Sequence, residues 1–108
     1  MAASPLREPE GEPSAAALDR ETAESLARTL RAIADPTRLQ LLSLIRRSPN
    51  AEATGGELAD RLRLTQPTVS HHLRIMVDDG LLVRDQRGKH AWFSVAAERA
   101  AEIDDLLR

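Results

Sequence analysis

Leu26, Leu30 and Ile33 recur at i, i+4 and i+7, with Ala27 and Ala34 beside them and Arg28 and Arg31 on other faces. That is the period of a helix packed along one side, and it predicts a first helix over about 17–33. Asp35-Pro36 reads as a fresh start, because aspartate accepts hydrogen bonds from the exposed amides of a first turn and proline suits the first helical position. The second helix, Pro36 to about Arg47, carries Leu39, Leu41, Leu42, Leu44 and Ile45. It is apolar nearly all round, which predicts a central place, and Ser48-Pro49-Asn50 ends it. Thr54-Gly-Gly-Glu57 has the spacing of a capping box and opens a short third helix with Leu58, Ala59 and Leu62. Thr65-Gln-Pro-Thr68 starts a fourth that runs to about Asp78, with Gly80 placed to take the left-handed conformation beyond its end. Leu81–Asp85 and His90–Val95 flank Gln86-Arg-Gly-Lys89, the layout of a β-hairpin with a basic turn. Ala96, Ala100, Ile103 and Leu107, at i, i+4, i+7 and i+11, close the chain with a fifth helix.

The first residues break this regularity. Pro5, Pro9, Gly11 and Pro13 stand among Glu8, Glu10 and Glu12, with little apolar surface to offset the entropy of ordering. Residues 1–16 are therefore expected to be a disordered, acidic, proline-rich tail, and 17–108 a single domain. A chain of 108 residues has no room for two ordinary domains. The expected class is mainly α with a small β-hairpin: about five helices and a two-stranded wing.

Composition narrows the chemistry. Trp92 and Phe93 are the only aromatic residues, so the core must be built from Leu, Ile, Val and Ala, and no platform of aromatics exists for stacking single-stranded bases. Without cysteine there is no disulfide, no thiol catalysis and no thiolate metal site. No apolar run approaches a membrane span and the start lacks a basic-then-apolar leader, so a cytoplasmic location is expected. The net charge of -2 conceals a gradient. Residues 1–24 hold 2 basic and 6 acidic groups and residues 96–108 hold 2 and 4, whereas 25–95 hold 11 basic against 7 acidic. The centre is basic and the ends are acidic.

Two short helices joined by a tight turn, the second opening with small polar residues, suggest a helix-turn-helix whose second helix enters the DNA major groove. On that fourth helix Val69, His72, Leu73 and Met76 share an inward side; Gln66, Ser70 and Arg74 share the outer side, with Thr65, Thr68 and His71 close by. Glutamine can pair with adenine and arginine with guanine or phosphate, while Thr and Ser reach base edges or phosphates. Helix N-terminal amides favour a further phosphate. Arg84, Arg87, Lys89 and His90 on the following hairpin suit a wing that holds the backbone or enters the minor groove. Any charged amphipathic helix has a solvated polar face. The order of turn, polar helix start, terminal glycine and basic hairpin is what favours DNA.

Asp35-Pro-Thr-Arg-Leu-Gln-Leu-Leu42, Glu57-Leu-Ala-Asp60, Gln66-Pro-Thr-Val-Ser-His-His-Leu73 and Asp79-Gly-Leu-Leu82 resemble, in order, the signatures of ArsR/SmtB-type winged-helix transcription regulators. The resemblance covers about residues 25–107. It implies a homodimer joined through the first and last helices and bound to a palindromic operator of double-stranded DNA, commonly as a metal-responsive repressor. The apolar stripes of those helices, Leu26, Leu30 and Ile33 with Ala100, Ile103 and Leu107, are the expected dimer contacts.

The effector is where this chain departs from the pattern. Many family members carry a cysteine pair at the start of the helix equivalent to the third; here the stretch is Ala51-Glu-Ala-Thr-Gly-Gly56. The last helix offers Glu98, Glu102, Asp104 and Asp105 but no histidine for the family's other metal site. His72 is expected to be packed and hydrogen-bonded, His71 to face DNA, and His90 to meet a phosphate or join a carboxylate around a metal. Loss of every thiolate points to a borderline divalent ion, nickel ahead of zinc or cobalt, with no ligands assigned. The competing reading is a winged-helix interaction module whose effector is sensed by a separate partner protein. Catalysis finds no support: Ser70, His71 and His72 point in different directions on a helix, and Gly55-Gly56 is too short for a phosphate loop.

Overall fold

The computed structural model describes residues 17–107; the tail expected over 1–16 lies outside the described residues. Helix α1 spans Arg20–Ile33, starting three residues later than the hydrophobic period suggests, because the Asp19 carboxylate accepts from the Thr22 amide at 2.7 Å and so caps it there. Helix α2 is Pro36–Arg47, with Asp35 accepting from the amides of Thr37 and Arg38. Strand β1, Glu52–Thr54, leads into α3, Gly55–Leu62, and then α4, Gln66–Asp78. Strands β2, Leu82–Arg87, and β3, His90–Val95, form the hairpin. Short 3₁₀ turns, Pro49–Ala51 and Ala97–Arg99, precede β1 and α5, Ala100–Leu106, respectively.

Helix α2 packs against α1, α3, α4, β1 and β3 and is the central element that its composition predicts. Leu41, Leu42 and Ile45 are fully buried, but Leu39 is 38% exposed, so one side of α2 reaches solvent. Around them close Leu58, Val69, Leu73, Met76, Leu81 and Ile103. Burial of each such side chain contributes roughly 1.5–3 kcal/mol.

Two helix ends show how local chemistry sets the geometry. The capping box of α3 is complete: Thr54 Oγ1 accepts from the Glu57 amide, and Glu57 Oε1 accepts from the Thr54 amide at 2.9 Å. Beyond α4, Gly80 has φ +77°, the Gly80 amide donates to the Val77 carbonyl and the Leu81 amide to the Met76 carbonyl, both at 2.9 Å. This double closure is the Schellman arrangement, and it turns the chain directly into the hairpin.

The sheet differs from the expected two strands. β1 pairs antiparallel with β3, giving the order β1-β3-β2. A three-residue strand has too little alternation to show in sequence, and it forms because β3 offers it a free edge. The hairpin strands run on to Arg87 and His90, leaving only Gly88 and Lys89 as the turn, with φ +60° at Gly88. Glycine at the first of two turn residues suits the twist of a tight hairpin. The fifth helix is also shorter than expected, because the buried Ala96 is tied by its amide to the Leu81 carbonyl at 2.9 Å. Among the described residues no helix is long and apolar enough to cross a membrane.

Candidate nucleic-acid interface

Helix α4 presents two chemically distinct sides. Val69, Leu73 and Met76 are buried and anchor it, while Thr65, Gln66, Thr68, Ser70, His71 and Arg74 are exposed. His72 lies half-buried between them, with Nδ1 accepting from Arg38 Nε at 3.2 Å; it is the packed, hydrogen-bonded histidine that its position predicts. The short α3 runs into α4 through Arg63-Leu64-Thr65, and Arg63 takes the left-handed conformation at φ +58°. That turn carries no glycine, so its geometry was not legible in advance.

The start of α4 is more occupied than the helix dipole alone implies. Thr65 Oγ1 accepts from the Thr68 amide at 3.3 Å and donates to Thr68 Oγ1 at 2.9 Å, while Pro67 has no amide to offer. Of the first three helical positions, only Gln66 keeps a free N–H. Thr65 serves first as a cap, and the anion site expected from several N-terminal amides shrinks to one.

The register of the sheet sorts the wing cations. Residues directly opposite share a face, and Arg84 lies opposite Phe93, whereas Asp85 lies opposite Trp92 and Arg87 opposite His90. Arg84 therefore belongs to the face of the buried Phe93 and Ala53. A cleft of about 730 Å³ opens there between wing and α4, and is lined by Gln66, Ser70, Arg74, Arg84 and Lys89, with the carboxylates of Glu57 and Asp78 also on its wall. Neither Arg74 nor Lys89 forms an ion pair among the described residues, and Arg84 bonds only to the neutral Gln86 amide, at 2.7 Å. Three cations thus face one cleft with no carboxylate in ion-pair contact among the described residues, and they outnumber the two carboxylates that line it.

Arg87, expected to join them, is on the other face. Its guanidinium reaches Glu52 at 2.5 and 3.0 Å and Asp85 at 2.9 Å, and lies 5.1 Å from the centre of the Trp92 ring. The hydrogen bond from Arg87 holds the Glu52 carboxyl below its usual range, and Glu52 foremost, then Asp85, raises the guanidinium's affinity for its proton.

At the other end of the domain, two residues expected at a dimer contact prove to be core. Ile103 is wholly buried and Ile33 is 5% exposed, because both point into the domain. Leu30 is exposed and Leu26, Ala100 and Leu107 are half-buried; Leu18 and Leu106, not singled out in the sequence, are exposed as well. Glu102 is not free for a metal: it accepts from the buried Thr29 at 3.2 Å and lies 3.7 Å from Arg99, whose charge opposes a cation. Arg99 also hydrogen-bonds Ser25. Among the described residues no group of three or more His, Cys, Asp or Glu could hold a metal ion.

A helix-turn-helix with an outward polar second helix, followed by a hairpin sharing its cationic cleft, defines a winged-helix DNA-binding protein. Residues 35–83 match the model of the bacterial regulatory proteins of the arsR family. The chain is 40% identical over 85 residues to the "Probable mercury resistance operon repressor" of Streptomyces lividans, across 79% of this chain and 66% of that protein. It is 35% identical over 90 residues to the transcriptional regulator NmtR of Mycobacterium tuberculosis, across 83% of this chain and 72% of that one. A homodimeric winged helix-turn-helix DNA-binding domain from Mycobacterium bovis superposes with a TM-score of 0.68 at 26% identity, covering 87% of this chain and 86% of that domain. The chain belongs to the arsR family, whose members are DNA-binding transcription regulators and not enzymes.

Proposed function

We propose that this chain is a homodimeric repressor that binds operator DNA, with α4 in the major groove and the wing against the adjoining backbone. The observation that carries the reading is the cleft between α4 and wing, where Arg74, Arg84 and Lys89 stand with no carboxylate in ion-pair contact among the described residues. Cations left unneutralised on one face are what a phosphate backbone exploits. Gln66, Thr68, Ser70, His71 and Arg74 are the groups within reach of base edges or phosphates, and Thr65 caps the helix that carries them. Two recognition helices are brought to one operator by pairing of the end that exposes Leu18, Leu30 and Leu106.

For the effector, the lack of cysteine restricts the donors to imidazole and carboxylate, which suits nickel first and zinc or cobalt after it. The described residues of one protomer do not gather such a set, so a metal held by these residues alone would lie between protomers. Mobility-shift titrations against the DNA upstream of the chain's own coding region test the DNA reading. Salt-sensitive, sequence-preferring binding is expected; its absence at near-physiological salt refutes it. Calorimetry of the dimer with nickel, zinc and cobalt tests the effector, and no heat with any of them rejects a metal.

A further inference from the structure

We propose that Arg87 is the strut that holds the wing in its DNA-ready position and is not itself a phosphate contact. The inference rests on the operator-binding reading above and adds a division of labour within the wing. Arg87 sits at the end of β2, the sheet's outer strand, yet bonds bidentately to Glu52 on β1, the opposite edge, across the ring of Trp92 on the middle strand. All three strands are tied together at one point. Glu52 stands two residues before Thr54, the cap of α3, so the strut runs from the wing directly to the start of the helix-turn-helix.

Charge argues the same way. One guanidinium between the carboxylates of Glu52 and Asp85 leaves the cluster negative, and a phosphate entering it would be repelled. Glu52 is the less exposed partner, with 19% of its side chain accessible, so freeing Arg87 would strand a partly covered carboxylate. Bidentate arginine pairing is also directional in a way a lysine cannot reproduce. Arg84 and Lys89 face the cleft and are the wing's phosphate contacts; Arg87 positions them.

Glu52→Gln and Arg87→Lys decide the matter in the full-length chain, with affinity for the same upstream DNA measured across a salt series. The strut requires both variants to bind about fivefold more weakly, the size of a modest ion-pair network, with an unchanged salt slope. A phosphate contact requires the opposite: Glu52→Gln removes a negative charge and tightens binding, and Arg87→Lys keeps both affinity and slope. Trp92, the only tryptophan, gives a readout without DNA. Its emission shifts in both variants if the cluster holds the wing, and an unshifted spectrum overturns the proposal. Wild-type protein that shows no sequence-preferring binding fails the operator reading itself. Wild-type binding together with tighter binding by Glu52→Gln fails the strut alone.

Discussion

Arg38 on α2 donates from Nε to Nδ1 of His72 on the recognition helix at 3.2 Å, and from a terminal nitrogen to the Ala32 carbonyl at 3.3 Å. One side chain thus joins α1, α2 and α4. A guanidinium can only donate, so Nδ1 of His72 carries no proton in this bond. Arg38→Ala leaves a half-buried imidazole and a carbonyl without their donor and should destabilise the domain by about 1–3 kcal/mol in urea titrations. In a His72→Leu background the same change should cost less, since one of the stranded groups is gone. Equal losses in the two backgrounds would show that the pair is not coupled.

The start of α2 carries a pH dependence. The Asp35 carboxyl is held below its usual range, first by the Arg38 amide, with desolvation next and opposing it, and then by the Thr37 amide and the Arg38 charge. Its folded pKa is lower than its unfolded one, so its contribution is fully present above the ordinary carboxylate pKa and is lost as pH falls through the folded value. Asp35→Asn keeps a capping oxygen but cannot titrate. Thermal melts should show wild type ahead by a few degrees near neutral pH. The gap should close below about pH 4.

Burial separates the core from the pairing surface. Ile103→Ala should cost about 2–5 kcal/mol, because the side chain is wholly enclosed. Leu30, at 42% exposed, predicts a different outcome. Leu30→Glu should leave the protomer's stability within about 0.5 kcal/mol while shifting sedimentation from dimer to monomer. A Leu30→Glu chain that stays dimeric would place the interface elsewhere.

Base and backbone contacts should separate in the same way. Gln66→Ala and Arg74→Ala should each weaken operator binding by about 1–3 kcal/mol and relax the preference at one base pair. Arg84→Ala should weaken binding on all sequences alike, with the salt slope lower by about 0.9. Selection from randomised operators, run beside the salt series, distinguishes the two patterns.

The helices were readable from residues 20–107 alone because their signals are local. A period of apolar positions, a capping aspartate or threonine and the Gly80 terminus each act within a few residues, and all reappear where spacing put them, apart from shifts of a turn at α1 and α5. The outward set of α4 was legible for the same reason. What folding alone settled is long-range. β1 exists because β3 has an edge to offer; Ile33 and Ile103 are core because α1 and α5 turn these side chains into the domain; and Arg87 is drawn from the DNA side by Glu52, 35 residues away. A run of arginines in sequence says nothing about which face of a sheet each will occupy. Strand register decides that, since a shift of one residue moves a side chain to the opposite face.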